Sequence, residues 1–370
     1  VELDEQFFVD LSNLQTTDWA VEFDSAQPSQ FTITEAWTFT DPELTRVVQV
    51  IGNTAYAIDN ASSLIGLRVI DFSDTENVVQ LDSFATTDAR DLQVIGDYAY
   101  LADGAAGLRV FDISDPTNIV QRDIYNTPGT AAGVYVANGI AYVGDSSGGL
   151  QILDVSDPDN ITFIDSYVIA GGANKLQIVG NLAYVAAPAS GLLVLDITDP
   201  HSVYIRDSYS PGSDGVYQMH IVNDTAYLAF GYSGLLVLDV SDPDDITFLG
   251  SFTTTDRAQD VYVEGTTAYL ANSFSGLKVL DVSDPMDITE KAVYDTENAY
   301  SIQIEDNTAY IADNNKILAL NLNTTPRATG TITNDDAALV SISADQSLNE
   351  DSGQLTFTVT LSNALDSAIS

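Results

Sequence analysis

The chain has 370 residues, a length that allows about two domains or one large all-β domain with additional segments. It contains 54 acidic and 12 basic residues, and the resulting net charge of −42 argues against nucleic acid or an anionic membrane surface as a partner. Hydrophobic residues make up 45% of the chain, which predicts a sizeable folded core, and the absence of cysteine excludes disulfides and thiol chemistry.

The sequence opens without Met and without the basic and apolar regions of a signal peptide, so we expect a piece of a larger protein. Because no apolar run approaches the roughly 18 residues of a membrane helix, we expect no direct membrane insertion in this segment. A strongly acidic, cysteine-free chain is typical of a prokaryotic extracellular or cell-surface protein exposed to Ca²⁺ or high salt. The alternative is an acidic surface that only keeps the protein soluble.

Two segments precede the regular part of the chain. The first, Asp4–Asn13, contains Phe-Phe-Val-Asp-Leu-Ser-Asn, and the pattern Phe-x-Val-x-Leu-Ser-Asn returns near the other end at Phe357–Asn363. The second, Phe31–Phe39, has the alternating apolar pattern of a strand. Both are therefore predicted to be β-strands.

A unit of about 42 residues then recurs seven times. The dipeptide Ala-Tyr marks each copy, and its tyrosines are Tyr56, Tyr100, Tyr142, Tyr184, Tyr227, Tyr269 and Tyr310. Each copy contains an alternating stretch, the Ala-Tyr strand, a Gly-Leu strand, an Asp-Pro turn and a fourth stretch. Four short strands in a period of this size predict one antiparallel blade of a β-propeller.

The sequence motifs of the repeat resemble those of LVIVD-type β-propeller repeats. The pattern Gly-Leu-x-Val-x-Asp is followed by the turn Ser-Asp-Pro or a close variant, and it begins at Gly66, Gly107, Gly191, Gly234 and Gly276, with a near match at Gly149. This resemblance covers about residues 31–322 and implies an all-β, seven-bladed propeller with four-stranded antiparallel blades. It also implies a non-catalytic interaction scaffold, because such propellers share no active-site motif.

The tail resembles the junction between two Calx-beta domains, which are calcium-binding β-sandwiches. The matching segments are Gly-Thr-Ile-Thr-Asn-Asp-Asp at Gly330–Asp336, then Asn349–Gly353 and Phe357–Ser362. At the other end of the chain, the Asp4–Asn13 segment resembles the penultimate strand of the same family. We therefore divide the chain into the end of one sandwich (1–24), the propeller (31–322), the last strand of that interrupted sandwich (327–336) and the start of a second sandwich (337–370).

The same resemblance implies part of a Ca²⁺ site. Glu350 matches the ligand in the first turn of the family, while Asp335 and Asp336 match its acidic linker. Carboxylate oxygens are the ligands that Ca²⁺ prefers. The alternative is that Asn-Asp-Asp is a polar hinge and Glu350 a turn residue.

Polar side chains recur seven residues before each repeat tyrosine. They are Gln49, Gln93, Tyr135, Gln177, His220, Tyr262 and Gln303. In a propeller this position belongs to the innermost strand, so the sequence predicts a polar layer near the axis. A ring of internal hydrogen bonds is the first interpretation, and a ligand-lined channel is the second.

A second set lies three residues after the repeat tyrosine: Asp59, Asp103, Asp145, Asn272 and Asp313, with Ala187 and Phe230 in the other two copies. Together with Asp91 and Asp260, which start inner strands on the same face, they predict an acidic rim with a few arginines, namely Arg46, Arg90 and Arg257. Such a rim suits a cation or a basic partner. The alternative is that these aspartates cap turns.

No catalytic motif appears, and neither His201 nor His220 is framed by an acid or a nucleophile, so a structural role is expected for both. We expect a non-catalytic extracellular or cell-surface binding and adhesion module, with a protein or glycan partner and with Ca²⁺ at the sandwich junctions. The alternatives are a hydrolase or lyase with an active site in the central pocket, and a passive spacer.

The last repeat copy ends at Leu322 without its fourth strand. Because a propeller ring must close, Phe31–Phe39 is predicted to pair with Lys316–Leu322 and complete the seventh blade. The propeller would then interrupt a sandwich hairpin in which Phe7–Leu11 pairs with Ala328–Thr333.

Overall fold

The computed structural model describes residues 20–24, 30–40, 44–59, 66–188, 190–210, 212, 214–325, 327–333, 339–342, 346–349 and 354–360. Contacts divide the chain into two units, one formed by residues 33–322 and one by the described strands of residues 1–32 and 323–370. Over the described ranges, no helix is both long and apolar enough to cross a membrane.

The larger unit consists of seven sheets of four antiparallel strands, so the predicted seven-bladed propeller is confirmed. Two strands, β1 (Ala20–Asp24) and β2 (Gln30–Thr40), precede the first blade. Blades 1 to 3, each from its first strand to its fourth, are β3 (Thr45–Ile51), β4 (Thr54–Asp59), β5 (Leu67–Asp71), β6 (Val79–Phe84); β7 (Asp91–Ile95), β8 (Tyr98–Ala102), β9 (Leu108–Asp112), β10 (Val120–Tyr125); and β11 (Gly133–Ala137), β12 (Ile140–Gly144), β13 (Leu150–Asp154), β14 (Thr162–Tyr167).

Blades 4 to 6 follow the same order. They are β15 (Leu176–Val179), β16 (Leu182–Ala187), β17 (Gly191–Asp196), β18 (Tyr204–Tyr209); β19 (Gln218–Val222), β20 (Thr225–Ala229), β21 (Leu235–Asp239), β22 (Thr247–Phe252); and β23 (Asp260–Glu264), β24 (Thr267–Ala271), β25 (Leu277–Asp281), β26 (Thr289–Tyr294).

Blade 7 is completed from the other end of the sequence. Its first three strands are β27 (Ala299–Glu305), β28 (Thr308–Asp313) and β29 (Lys316–Thr325), and the fourth position, beside β29, is occupied by β2. The predicted pairing of Phe31–Phe39 with Lys316–Leu322 is therefore confirmed. The first strand of each blade contacts that of the next, and the contact between β27 and β3 closes the ring.

The hydrophobic core lies between neighbouring blades. Between blades 1 and 2, for example, Ile58 and Leu67 pack with Leu101 and Phe111, and all four side chains are fully buried. The second and third strands of a blade are covered on both faces, which explains why a stretch such as Gly191–Asp196 is apolar almost throughout.

The Asp-Pro segments form the predicted turns. In blade 2 the Asp115 carbonyl accepts a hydrogen bond from the Asn118 N–H at 2.9 Å, and its carboxylate accepts one from the Thr117 N–H at 3.0 Å. In blade 1, which lacks the proline, Asp74 makes the same two bonds with Asn77 and Glu76. The aspartate is thus the common element of the turn.

The smaller unit contains β1, β30 (Arg327–Thr333), β31 (Leu339–Ile342), β32 (Gln346–Asn349) and β33 (Gln354–Thr360). Here β30 pairs with β1 on one edge and with β33 on the other, and both pairings are antiparallel. The predicted pairing of Phe7–Leu11 with Ala328–Thr333 stays a prediction. Phe7–Leu11 itself lies outside the described residues, and the assignment of the end segments to Calx-beta domains stays a prediction.

Candidate functional site

A cavity of about 570 Å³ lies where the chain enters the first strand of each blade. We call it the mouth cavity. It continues into a channel of about 340 Å³ along the first strands, and Val47, Gln218, Asp260 and Ser301 line both. The propeller therefore has a central depression that opens on one face.

One set of equivalent positions contributes a residue from every blade to the mouth cavity. These residues stand three positions before the polar layer, and they are Arg46, Arg90, Ala132, Asn174, Tyr217, Gln259 and Tyr300. The residue just before each of them is buried in every copy. It is alanine or valine in six copies and Thr45 in the first. The fold thus repeats its buried positions, while the wall of this cavity has five residue types at seven equivalent positions.

Two arginines of the cavity lie against aromatic rings. The Arg46 guanidinium lies 4.2 Å from the centre of the Tyr300 ring, and the Arg257 guanidinium lies 5.1 Å from Tyr217 and 5.0 Å from Tyr232. Such contacts hold a guanidinium in place and stabilise its charge. Two further cations, Arg90 and Lys175, line the same cavity.

Carboxylates are present at the base of the cavity. The Lys175 ammonium lies 2.6 Å from the Asp91 carboxylate, and it also donates to the Arg90 carbonyl at 3.1 Å. Asp260 is buried and accepts hydrogen bonds from the N–H groups of Val261 (2.8 Å) and Ile302 (3.0 Å). Burial raises the pKa of Asp260 to about 7, since the charged carboxylate is poorly solvated there.

We predict that Asp260→Asn changes the pH dependence of stability. A carboxyl group with a raised pKa in the folded state makes that state less stable as the pH rises from the unfolded to the folded pKa, here from 3.8 to about 7. The amide has no charge to desolvate. The free energy of unfolding of the variant relative to wild type should therefore rise by roughly 2–4 kcal/mol between pH 4 and pH 8.

Urea unfolding at a series of pH values measures this difference. Asp97→Asn, which alters an exposed carboxyl group, is the matched control for the loss of one carboxyl group. A flat difference for Asp260→Asn would show that this carboxyl group titrates normally.

The polar layer inside the channel is bonded from blade to blade, as the first interpretation predicted. Gln177 accepts a hydrogen bond from the Ile221 N–H at 2.8 Å and donates to the carbonyl of the same residue at 3.0 Å. Four other side chains of the layer accept a backbone N–H of the next blade in the same way: Gln49 from Val94, Gln93 from Val136, His220 from Val263 and Gln303 from Val50. Five of the seven steps around the ring are made in this way, and the Gln303 step joins blade 7 to blade 1. The ligand-lined channel stays a prediction.

The two histidines occupy different environments. His220 accepts the Val263 N–H at Nδ1 (2.8 Å) and lies 4.7 Å from the Tyr262 ring, and burial lowers its pKa. It is therefore a neutral member of the polar layer. His201 is exposed in the Asp199 turn.

The predicted acidic rim is not at the surface. Asp59, Asp103, Asp145, Asn272 and Asp313 are at most 2% exposed, and Asp91 and Asp260 belong to the first strands at the cavity base. Asp103 accepts from the N–H groups of Thr87 (3.0 Å) and Asp88 (2.7 Å), and Asp145 and Asp313 bind the equivalent loops. These bonds favour turn capping over an exposed rim, because a buried carboxylate needs donors close by. A cation-binding role for these residues stays a prediction.

The candidate calcium ligands Glu350, Asp335 and Asp336 lie outside the described residues. Among the residues that are described, no group of three or more His, Asp or Glu side chains has an arrangement that holds a metal ion. Calcium binding therefore rests on the family resemblance alone.

The sequence pattern predicted Arg46, Arg90 and Arg257 at this face but not Tyr217, Tyr300 or Lys175. Alignment of the seven copies on the repeat tyrosine shows them, since the positions ten and nine residues before it vary among the copies. That variation within one chain, at positions facing the axis, is the signal that was missed.

A protein-family profile for the LVIVD repeat matches residues 87–127, 128–168, 170–210, 219–254, 256–296 and 298–320, which together exceed half of the chain. A search of curated proteins finds no match. Among solved structures, the chain is similar to the crystal structure of the computationally designed Ika8 protein, with 10% identity and a TM-score of 0.57 over 78% of this chain and 99% of that one. At this identity the likeness concerns the fold alone. Because six copies of the repeat match in phase and blade 1 repeats their architecture, the chain belongs to the LVIVD-repeat family.

Proposed function

We propose that this propeller is a non-catalytic binding module and that the mouth cavity is its binding site. The observation that carries the proposal is the divergence of the cavity wall among seven otherwise repeating blades. A wall that served only packing would need the same small set of residues in each blade, as the buried positions have. A wall that recognises one ligand needs a different side chain at each point of contact.

The proposal includes an extracellular or cell-surface location and a role in adhesion to a protein or glycan. The acidic, cysteine-free composition and the Calx-beta-like end segments support it. A high negative charge keeps such a protein soluble and repels anionic surfaces, so an anion-binding cavity would confine attachment to one point of the molecule.

Binding to arrays of glycans and peptides tests the site. Wild type should bind a restricted set of ligands, and the double variant Arg46→Gln/Arg257→Gln should lose them. Arg122→Gln is the matched control, because Arg122 lies on the outer strand of blade 2, away from the cavity, and is ion-paired with Asp159. Ligands that bind the double variant as well as wild type would place the site elsewhere, and no bound ligand at all would favour a passive spacer.

Calcium binding at the end segments is the second part of the proposal. Calorimetry with millimolar Ca²⁺, together with the shift in thermal unfolding, tests it on the full chain. We expect heat uptake or release and stabilisation that Glu350→Gln weakens. A chain that shows neither has no calcium site.

One observation favours the enzyme alternative, a hydrolase or lyase. An acid and a base, Asp91 and Lys175, meet at 2.6 Å in the central depression, as a catalytic site would require. Both groups are engaged with each other, however, and Lys175 also bonds to a backbone carbonyl. Release of products from an array ligand, abolished by Lys175→Met with binding retained, would establish catalysis over simple binding.

A further inference from the structure

The cations of the mouth cavity differ from the other cations of the chain. Outside the cavity, every Arg and Lys whose side chain the structure describes is ion-paired with a carboxylate: Arg68, Arg109, Arg122, Arg206, Lys278, Lys291 and Lys316. Within the described residues, Arg46 and Arg257 have no such partner. Asp214 and Asp260 also line the cavity, but neither forms an ion pair with these arginines, so positive charge is available there in a chain with 54 acidic residues.

Both arginines are held ready for a planar anion. The Arg46 guanidinium lies over the Tyr300 ring and the Arg257 guanidinium over the Tyr217 and Tyr232 rings, so aromatic contacts hold both groups at the cavity wall. The edge of a guanidinium matches the two oxygens of a carboxylate. The Arg46 Nε is also buried without a hydrogen-bond partner among the described residues, which is uncommon in a folded protein and marks a donor that lacks its acceptor.

Three amide side chains in the wall of the cavity suit hydroxyl groups. Asn174, Gln218 and Gln259 line it, and an amide side chain both donates and accepts hydrogen bonds. Gln218 uses its oxygen to accept the Met219 N–H, and Gln259 uses its NH₂ group to donate to Ser273. Within the part of the chain that the structure describes, the other function of each amide has no partner and can bind a ligand. Hydroxyl groups of a ligand need this combination of donors and acceptors.

The shape of the cavity argues against an extended peptide. Peptides bind proteins along a free strand edge, in an elongated groove or as a helix in a groove. Here the first strands surround the depression, and side chains of the polar layer already bond to the backbone of the neighbouring blade at five of seven steps. A depression of about 570 Å³ admits a compact ligand or the end of a chain.

We propose that the mouth cavity binds an acidic saccharide, with a uronic-acid carboxylate on Arg46 or Arg257 and sugar hydroxyls on the amides. This inference rests on the proposed binding role of the cavity and names its ligand class.

Calorimetry with trigalacturonic acid tests the inference, in a buffer that contains EDTA so that calcium bridging plays no part. The matched ligand is the fully methyl-esterified trisaccharide, which has the same size and hydroxyls but no charge. Wild type should bind the acid at least tenfold more tightly than the ester, and Arg46→Gln and Arg257→Gln should each weaken binding of the acid about tenfold or more. Arg122→Gln should bind as wild type does, and thermal unfolding checks that each variant is folded.

Equal binding of acid and ester, no binding of either, or tighter binding of a tri-glutamate peptide would overturn the inference. The array experiment separates this failure from failure of the proposed function. If the Arg46→Gln/Arg257→Gln double variant loses an array ligand, the mouth cavity is the binding site and only the saccharide class is wrong. If the double variant retains every array ligand, the mouth cavity is not the binding site.

Discussion

Replacing Trp37 with Ala is expected to lower the free energy of unfolding by about 3–5 kcal/mol, the range for large-to-small changes of buried aromatics. Trp37 lies on β2, the strand that completes blade 7, and it is 6% exposed. Its ring lies 4.8 Å from that of Phe72 and 6.1 Å from that of Tyr310, so it joins the last blade to the first. The substitution therefore opens a cavity at the closure of the ring.

Equilibrium unfolding in guanidinium chloride measures the effect. Phe163→Ala is the control, because Phe163 is also an aromatic residue on the fourth strand of its blade but is 49% exposed. The control should change stability by less than about 1 kcal/mol. A Trp37 variant as stable as the control would mean that ring closure does not depend on this contact.

The second large effect is expected at Asp103, whose carboxylate is fully buried beside Arg109. Asp103→Ala removes the partner of the guanidinium, and breaking a buried pair on one side costs about 3–5 kcal/mol. It also leaves the N–H groups of Thr87 and Asp88 without their acceptor.

Other blades of the same chain suggest the compensating change. Blades 4 and 5 have Ala187 and Phe230 at the position of Asp103, and there Leu193 and Leu236 stand where blade 2 has Arg109. The double variant Asp103→Ala/Arg109→Leu reproduces the blade 4 pair and should recover about half of the lost stability, because no unpaired charge remains buried. Denaturant unfolding of the two single variants and the double variant measures the coupling. Additive effects in this cycle would contradict a role for the ion pair.

The covariation of this pair was present in the sequence but was not used. Asp59 pairs with Arg68 and Asp103 with Arg109, whereas Asn272 stands near Lys278, which binds Glu290. The acidic member of the pair, taken alone, predicts an exposed rim. Position along a strand does not reveal burial at a blade end, since the loop that covers it comes from a distant part of the same copy.

The sequence by itself determined the blade and the number of blades. Each blade is encoded locally, by strand alternation, by a two-residue turn between first and second strands, and by the Asp-Pro turn, so seven periods predict seven sheets. The register is also local. The seven-residue offset between the polar layer and the repeat tyrosine makes them direct partners across the first hairpin, as Gln93 and Tyr100 are.

Only the tertiary structure decided the mouth cavity and the partners across blades. Gln303 and Val50 are 253 residues apart, yet closure of the ring makes them hydrogen-bonded neighbours. The same closure brings Arg46 onto Tyr300 and one variable residue from each blade to a common wall. The periodic pattern fixes how each blade folds, whereas the chemistry of the axis arises where equivalent positions of seven blades meet, and no single copy of the repeat contains that information.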